Sequence, residues 1–201
     1  MRDLFDIEPV VFRNTELIYS DRISELVAGT DRFKGMLAEG VDRLLGDRSP
    51  AYPYVPAGSG DYLPSSPLRL LLKNYRLSDD IAFRFSDRNW AEWPLDAARF
   101  AKWVNQINGD GHLCNLFMDY ETFGEHQWAD SGIFGFLDAL PAAVFEVNPG
   151  QNDFVTVREA IERYDPVGVY KAPNPVSWAD SERDLSAWLG NAMQDNAAAE
   201  L

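Results

Sequence analysis

Five short apolar runs along the chain stop abruptly at polar or charged residues. Residues 10–12 lead to Arg13, Asn14 and Glu16, and residues 35–38 lead to Glu39. Residues 68–72 lead to Lys73 and Asn74, residues 113–118 to Asp119 and Glu121, and residues 142–147 to Asn148. Runs this short and this continuous suit strands buried on both faces, as in a parallel sheet. Between them the spacing turns helical. Residues 21–28 carry Ile23, Leu26 and Val27 on one side, and residues 95–107 carry Phe100, Trp103, Val104 and Ile107. Pro94 near the start and Gly109 past the end frame the second of these. Residues 131–140 and 156–164 are further helix candidates, with Thr156 and Glu159 as a capping box. Leu185, Trp188, Leu189, Ala192 and Met193 form a last apolar stripe.

Strands alternating with helices predict an α/β fold. In an α/β barrel the residues following each strand gather at one mouth. Glu16, Glu39, Lys73 and Asp119 hold such positions. Five strand candidates fall short of the roughly eight of a closed barrel, so the expectation is a partial barrel with peripheral helices. Residues 49–67 contain Pro50, Pro53, Pro56, Pro64 and Pro67. They predict a long loop without regular structure inside a single domain over residues 1–201.

Charge narrows the partners. The formal net charge of −14 opposes binding to phosphate backbones and to anionic membranes. A neutral polymer such as a polysaccharide meets no such penalty. No apolar run approaches the ~18 residues of a membrane span. The acidic N-terminal stretch lacks the pattern of a signal peptide. The single cysteine, Cys114, excludes an internal disulfide and fits a reducing compartment. These features predict a cytoplasmic protein.

The candidate chemistry is carboxylate chemistry. Asp119 and Glu121 close an apolar run in LFMDYETFGEHQW, as two acids at an expected strand end. Acids at strand ends are more often solvated or ion-paired than catalytic, and Glu39 alone is an ordinary strand terminus. Two facing carboxylates, however, are the usual equipment for breaking a glycosidic bond: one attacks the sugar and one protonates the leaving oxygen. The two histidines, His112 and His126, give no HExxH spacing, which opposes a zinc hydrolase or a metal-dependent deacetylase. No G-x-S-x-G elbow or phosphate loop occurs. Cys114 sits in an apolar run and reads as inert core. Trp90, Trp93, Trp128 and Trp178 stand beside polar residues, where they either stack on sugar rings or pack on the surface.

The strings FRNTELIY, GMLAEGVDRLLG, LLKNYRLSDDIAFRFSDRNW, DYETFGEHQW and SWADSERDLSAWLGN, in this order, resemble the α-amylase-like branch of glycoside hydrolase family 57. The resemblance runs from about Glu8 to Gln194. It implies an incomplete, seven-stranded (β/α) barrel and a retaining mechanism, with Glu39 as nucleophile and Asp119 as general acid/base. It implies substrate-binding roles for Glu16, Glu121, His126, Trp128, Trp178 and Asp180, no metal or organic cofactor, and an α-glucan or maltooligosaccharide substrate. Glu39 and Asp119 are expected to face each other across one cleft, about 5–5.5 Å apart for retention. The family's strand ending in His-Gln-Pro is absent, so an internal portion of a longer enzyme is expected. The same resemblance covers 4-α-glucanotransferases and branching enzymes. From a different class, a non-catalytic glucan-binding relative would keep the surface without turnover.

Overall fold

The computed structural model describes residues 2–57 and 68–200. In chain order the elements are α1 (Arg2–Phe5), β1 (Val11–Arg13), a 3-10 turn (Thr15–Leu17), α2 (Asp21–Ala28), β2 (Gly35–Glu39), α3 (Asp42–Leu45), β3 (Val55–Pro56) and β4 (Arg69–Lys73). Then come α4 (Tyr75–Asp79), which widens into a π-helical turn over Asp80–Arg84, α5 (Ala97–Asn105), α6 (Ile133–Val147), α7 (Val157–Arg163), β5 (Val169–Tyr170) and α8 (Ala192–Ala199). The chain divides into two compact units, Met1–Leu72 with Val157–Leu201, and Lys73–Thr156.

The first unit is mixed α/β with small parallel sheets. One sheet has the order β1-β2-β4. β1 and β2 run parallel, with Val11 opposite Gly35, Phe12 opposite Met36 and Arg13 opposite Leu37. β3 and β5 form a second parallel pair, Val55 opposite Val169 and Pro56 opposite Tyr170. Central β2 and its neighbour β4 bury residues on both faces, which explains their uninterrupted apolar runs. Met36, Ala38, Leu70 and Leu72 pack with Tyr19, Tyr54 and Tyr170 in one core. At Gly35 a Cβ would meet the Ile161 side chain of α7 at 3.0 Å, so glycine lets that helix close onto the strand.

The second unit is helical. Phe85, Phe100, Phe136 and Ile133 share its core, with Phe100 and Phe136 in edge contact at 5.6 Å. Caps match the sequence: Asn74 Oδ1 accepts from Leu77 N–H and starts α4; Asp96 Oδ1 accepts from Arg99 N–H and starts α5.

The mixed α/β architecture agrees with the expectation, and among the described residues there is no closed barrel. Several finer expectations are corrected: among the described residues, two of the five expected strands are absent. Residues 113–118 are extended but join no ladder. The Asn115 carbonyl accepts from Asn74 N–H, and Phe117 N–H donates to Ser78 Oγ, so this segment docks against the start of α4. Residues 142–147 are the second half of α6, which runs through Pro141. Pro141 has no N–H for the Leu137 carbonyl, but burial of Leu140 and Val144 on the same face as Ile133 and Phe136 outweighs that lost bond. The stretch 49–67 is not wholly irregular. Val55–Pro56 is a strand, because Val55 and Ala57 supply the N–H groups, to the Gly168 and Tyr170 carbonyls, and the position of Pro56 needs none. The rest of that stretch, residues 58–67, lies outside the described residues. The stripe from Leu185 to Met193 is not one helix: a single turn at Leu185–Leu189 precedes α8.

Candidate active site

Glu39 ends β2 with none of its surface exposed. Its Oε1 accepts from the Gly40 N–H at 3.1 Å. Its Oε2 lies 3.8 Å from Arg183 Nη1, and the Arg183 side chain is itself only 14% exposed. At that distance the attraction is on the order of 4 kcal/mol in an effective dielectric near 20. Burying a carboxylate costs several kcal/mol. The arginine therefore offsets much of that cost.

Arg183 is placed by a braced loop. Its backbone is left-handed, φ 54°, a conformation costing on the order of 1–3 kcal/mol outside glycine. Arg43 of α3 donates to the Glu182 and Arg183 carbonyls at 2.9 and 3.2 Å. Asp180 Oδ1 accepts from the Arg183 N–H at 3.0 Å, and its Oδ2 accepts from Ser186 Oγ at 2.9 Å. Ser186 also holds the Asp184 carboxyl below the usual range. Asp180 thus shapes the loop that carries the cation facing Glu39.

Glu16 and Trp178 are brought together. Glu16 and Leu17 are both left-handed, φ 50° and 49°. The Glu16 carbonyl accepts from Ser177 Oγ at 2.9 Å and from the Trp178 N–H at 3.2 Å, while its Oε2 accepts from Trp178 Nε1 at 2.7 Å. The Arg13 guanidinium sits 5.0 Å over the indole. Trp178→Phe keeps the ring contact but removes the donor. A bond to a charged group contributes about 1.5–3 kcal/mol, less here because both side chains are half-buried. The variant is expected to melt about 2–4 °C lower by calorimetry. An unchanged melting temperature would show that this bond does not hold the turn.

In the second unit Asp119 is exposed and precedes a 3-10 turn, Tyr120–Thr122. Asp119 and Glu121 therefore stand at a turn and not at the expected strand end. The Glu121 carbonyl accepts from the Glu125 and His126 N–H groups. The Gln127 side chain, 2% exposed, donates from Nε2 to the Ala82 carbonyl in the π-helical turn and anchors the loop. His126 is exposed and stacks near Phe83, 6.4 Å between centroids. Trp128 is 69% exposed. Lys73, at the end of β4, is buried and paired with Asp79 at 3.1 Å. Burial pushes the Cys114 thiol up to about 12, which keeps it an unreactive thiol. Among the described residues no three His, Cys, Asp or Glu side chains gather as metal ligands, and no helix is long and apolar enough to cross a membrane.

The family model for glycosyl hydrolase family 57 matches residues 1–173. The chain belongs to this family. The family 57 match includes Glu16, Glu39, Asp119, Glu121, His126 and Trp128, and stops short of Trp178 and Asp180. The chain is also 44% identical over 197 residues to a Methanocaldococcus jannaschii protein named "Putative alpha-amylase", across 96% of this chain and 39% of that protein. The family 57 chain thus spans about 39% of the length of that relative.

Sequence reasoning missed Arg43, Arg183, Asp79 and Tyr170. Arg43 and Arg183 lie inside the family-like strings GMLAEGVDRLLG and SWADSERDLSAWLGN, and a search there for a cation to partner Glu39 would have found them. Tyr170, in the two-residue strand β5, carried no signal.

Proposed function

We propose that this chain is a retaining glycoside hydrolase acting on α-1,4-glucans, with Glu39 as the nucleophile and Asp119 as the general acid/base. The observation that carries the reading is the Glu39 carboxylate: wholly buried at the end of a central parallel strand, bonded to the Gly40 N–H and faced by the Arg183 guanidinium. A nucleophile needs this restraint, because attack requires the oxygen to be in line with the anomeric carbon. In the first step Glu39 attacks that carbon while Asp119 protonates the departing oxygen. In the second, water attacks the glycosyl-enzyme and Asp119 takes its proton. Exposed Trp128, and Trp178 braced by Glu16, are the aromatic faces this reading gives to sugar rings, and the same reading gives substrate-binding roles to Glu121, His126 and Asp180.

The architecture is read as part of an incomplete (β/α) barrel. Support comes from the parallel pairings of β1 with β2 and of β3 with β5. Incubation with maltoheptaose tests the activity. Shorter maltooligosaccharides released first as the α-anomer, followed by proton NMR, are expected. Release of the β-anomer would remove the retaining mechanism. Redistributed or branched chains would move the assignment to glucanotransferase or branching activity with the same carboxylates. Binding of amylose without new reducing ends would leave only the non-catalytic reading.

A further inference from the structure

We propose that Tyr170 is a positioning residue for Glu39, its hydroxyl fixing the peptide unit that aims a donor at the carboxylate. This role presupposes the nucleophile assigned above.

The Tyr170 hydroxyl donates to the Glu39 carbonyl at 2.9 Å and accepts from the Val41 N–H at 3.3 Å. It spans Gly40 from both sides. The Glu39 carbonyl and the Gly40 N–H belong to one planar peptide unit and point in opposite directions. Holding the carbonyl therefore sets the direction of the N–H, and that N–H is the donor to Glu39 Oε1. Any rotation of this plane would carry the carboxylate with it.

Tyr170 is well placed to resist such rotation. Its backbone is paired with β3, the Ala57 N–H donating to its carbonyl. Its ring is wholly buried against Tyr19 and Tyr54, with centroids 5.8 and 6.3 Å away. Burial pushes the phenol above its ordinary pKa, so it keeps the proton it donates. A one-ångström misplacement of a reacting group costs on the order of 100-fold in rate, and this buried hydroxyl acts on the Glu39 peptide.

A control lies in the same core. The Tyr54 hydroxyl donates to the Ser49 carbonyl at 2.6 Å, away from Glu39. Tyr170→Phe and Tyr54→Phe each remove one buried hydroxyl, so both should lower the melting temperature of the full chain. With 4-nitrophenyl α-maltotrioside as substrate, Tyr170→Phe is expected to lower kcat about tenfold or more with KM within twofold, while Tyr54→Phe leaves kcat within twofold. Equal kcat in the two variants would overturn the positioning role. Should Tyr170→Phe not fold, Val41→Pro removes the N–H that anchors the hydroxyl, at a φ of −86° close to proline's own; unchanged kcat there would equally overturn it. Glu39→Gln is measured alongside. If it stays active, or if the unaltered chain shows no turnover, the nucleophile assignment fails and Tyr170 loses its role with it. If Glu39→Gln is inactive and Tyr170→Phe matches Tyr54→Phe, the positioning role alone fails.

Discussion

Glu39→Gln is expected to lower turnover of maltooligosaccharides by at least about 10³-fold, with the fold intact and about as stable to heating. The amide is nearly the shape of the carboxylate but is a far weaker nucleophile, and nucleophile losses in comparable mechanisms cost several powers of ten. The stability half of the expectation follows from the same geometry. The wild-type carboxylate has no exposed surface, and Arg183 faces it at 3.8 Å. Glutamine removes the cost of burying a charge but also the attraction to Arg183. The melting temperature should therefore stay about level. Mass spectrometry with a slowly released glycosyl donor gives the direct reading: a covalent adduct on the wild type and none on the variant. An adduct on Glu39→Gln, or wild-type turnover by it, would remove Glu39 from the chemistry. A steep fall in melting temperature would instead assign the pair with Arg183 a structural role.

Asp119→Asn should separate the acid from the nucleophile. Asparagine can neither protonate the departing oxygen nor take a proton from water, and loss of general acid/base assistance costs roughly 10²–10⁴-fold. The loss should depend on the leaving group. With an α-maltosyl fluoride, whose leaving group needs no proton, the first step should proceed near the wild-type rate, and glycosyl-enzyme should accumulate because the second step lacks its base. Azide, which needs no deprotonation to attack, should then restore release. Exposed Asp119 stands at the entrance to a short turn, so its replacement is not expected to disturb the core of the second unit. If Asp119→Asn loses reaction with the fluoride as completely as Glu39→Gln does, while both melt like the wild type, the acid/base assignment is wrong.

Much of this was determined by the sequence alone. The continuous apolar runs ending at Arg13, Glu39 and Lys73 announced β1, β2 and β4; β2 and β4 are buried on both faces and have no polar face to alternate with. Helical spacing over residues 21–28 and 95–107 announced α2 and α5, whose caps Ser20 and Asp96 satisfy helix N–H groups locally. The family-like strings named Glu39, Asp119, Glu16 and Trp178. Local patterns suffice wherever a residue's own neighbours along the chain supply its partners.

The rest needed the tertiary structure, because its causes lie far away in the chain. Residues 142–147 look like a strand, yet they are helix, since burial against α5 outweighs the proline that seemed to end it. Residues 113–118 look like another, yet their hydrogen bonds go to the start of α4. Pro56 looks like a breaker, yet it is a strand residue, because the N–H groups pairing with β5 come from its two neighbours. The environment of Glu39 is the clearest case. Arg183 reaches it from more than a hundred residues downstream, held in a left-handed turn by Arg43, and Tyr170 locks its peptide from a two-residue strand too short to leave a pattern. Periodicity records which face of an element is buried; which distant side chain meets a buried carboxylate is decided only when the elements pack.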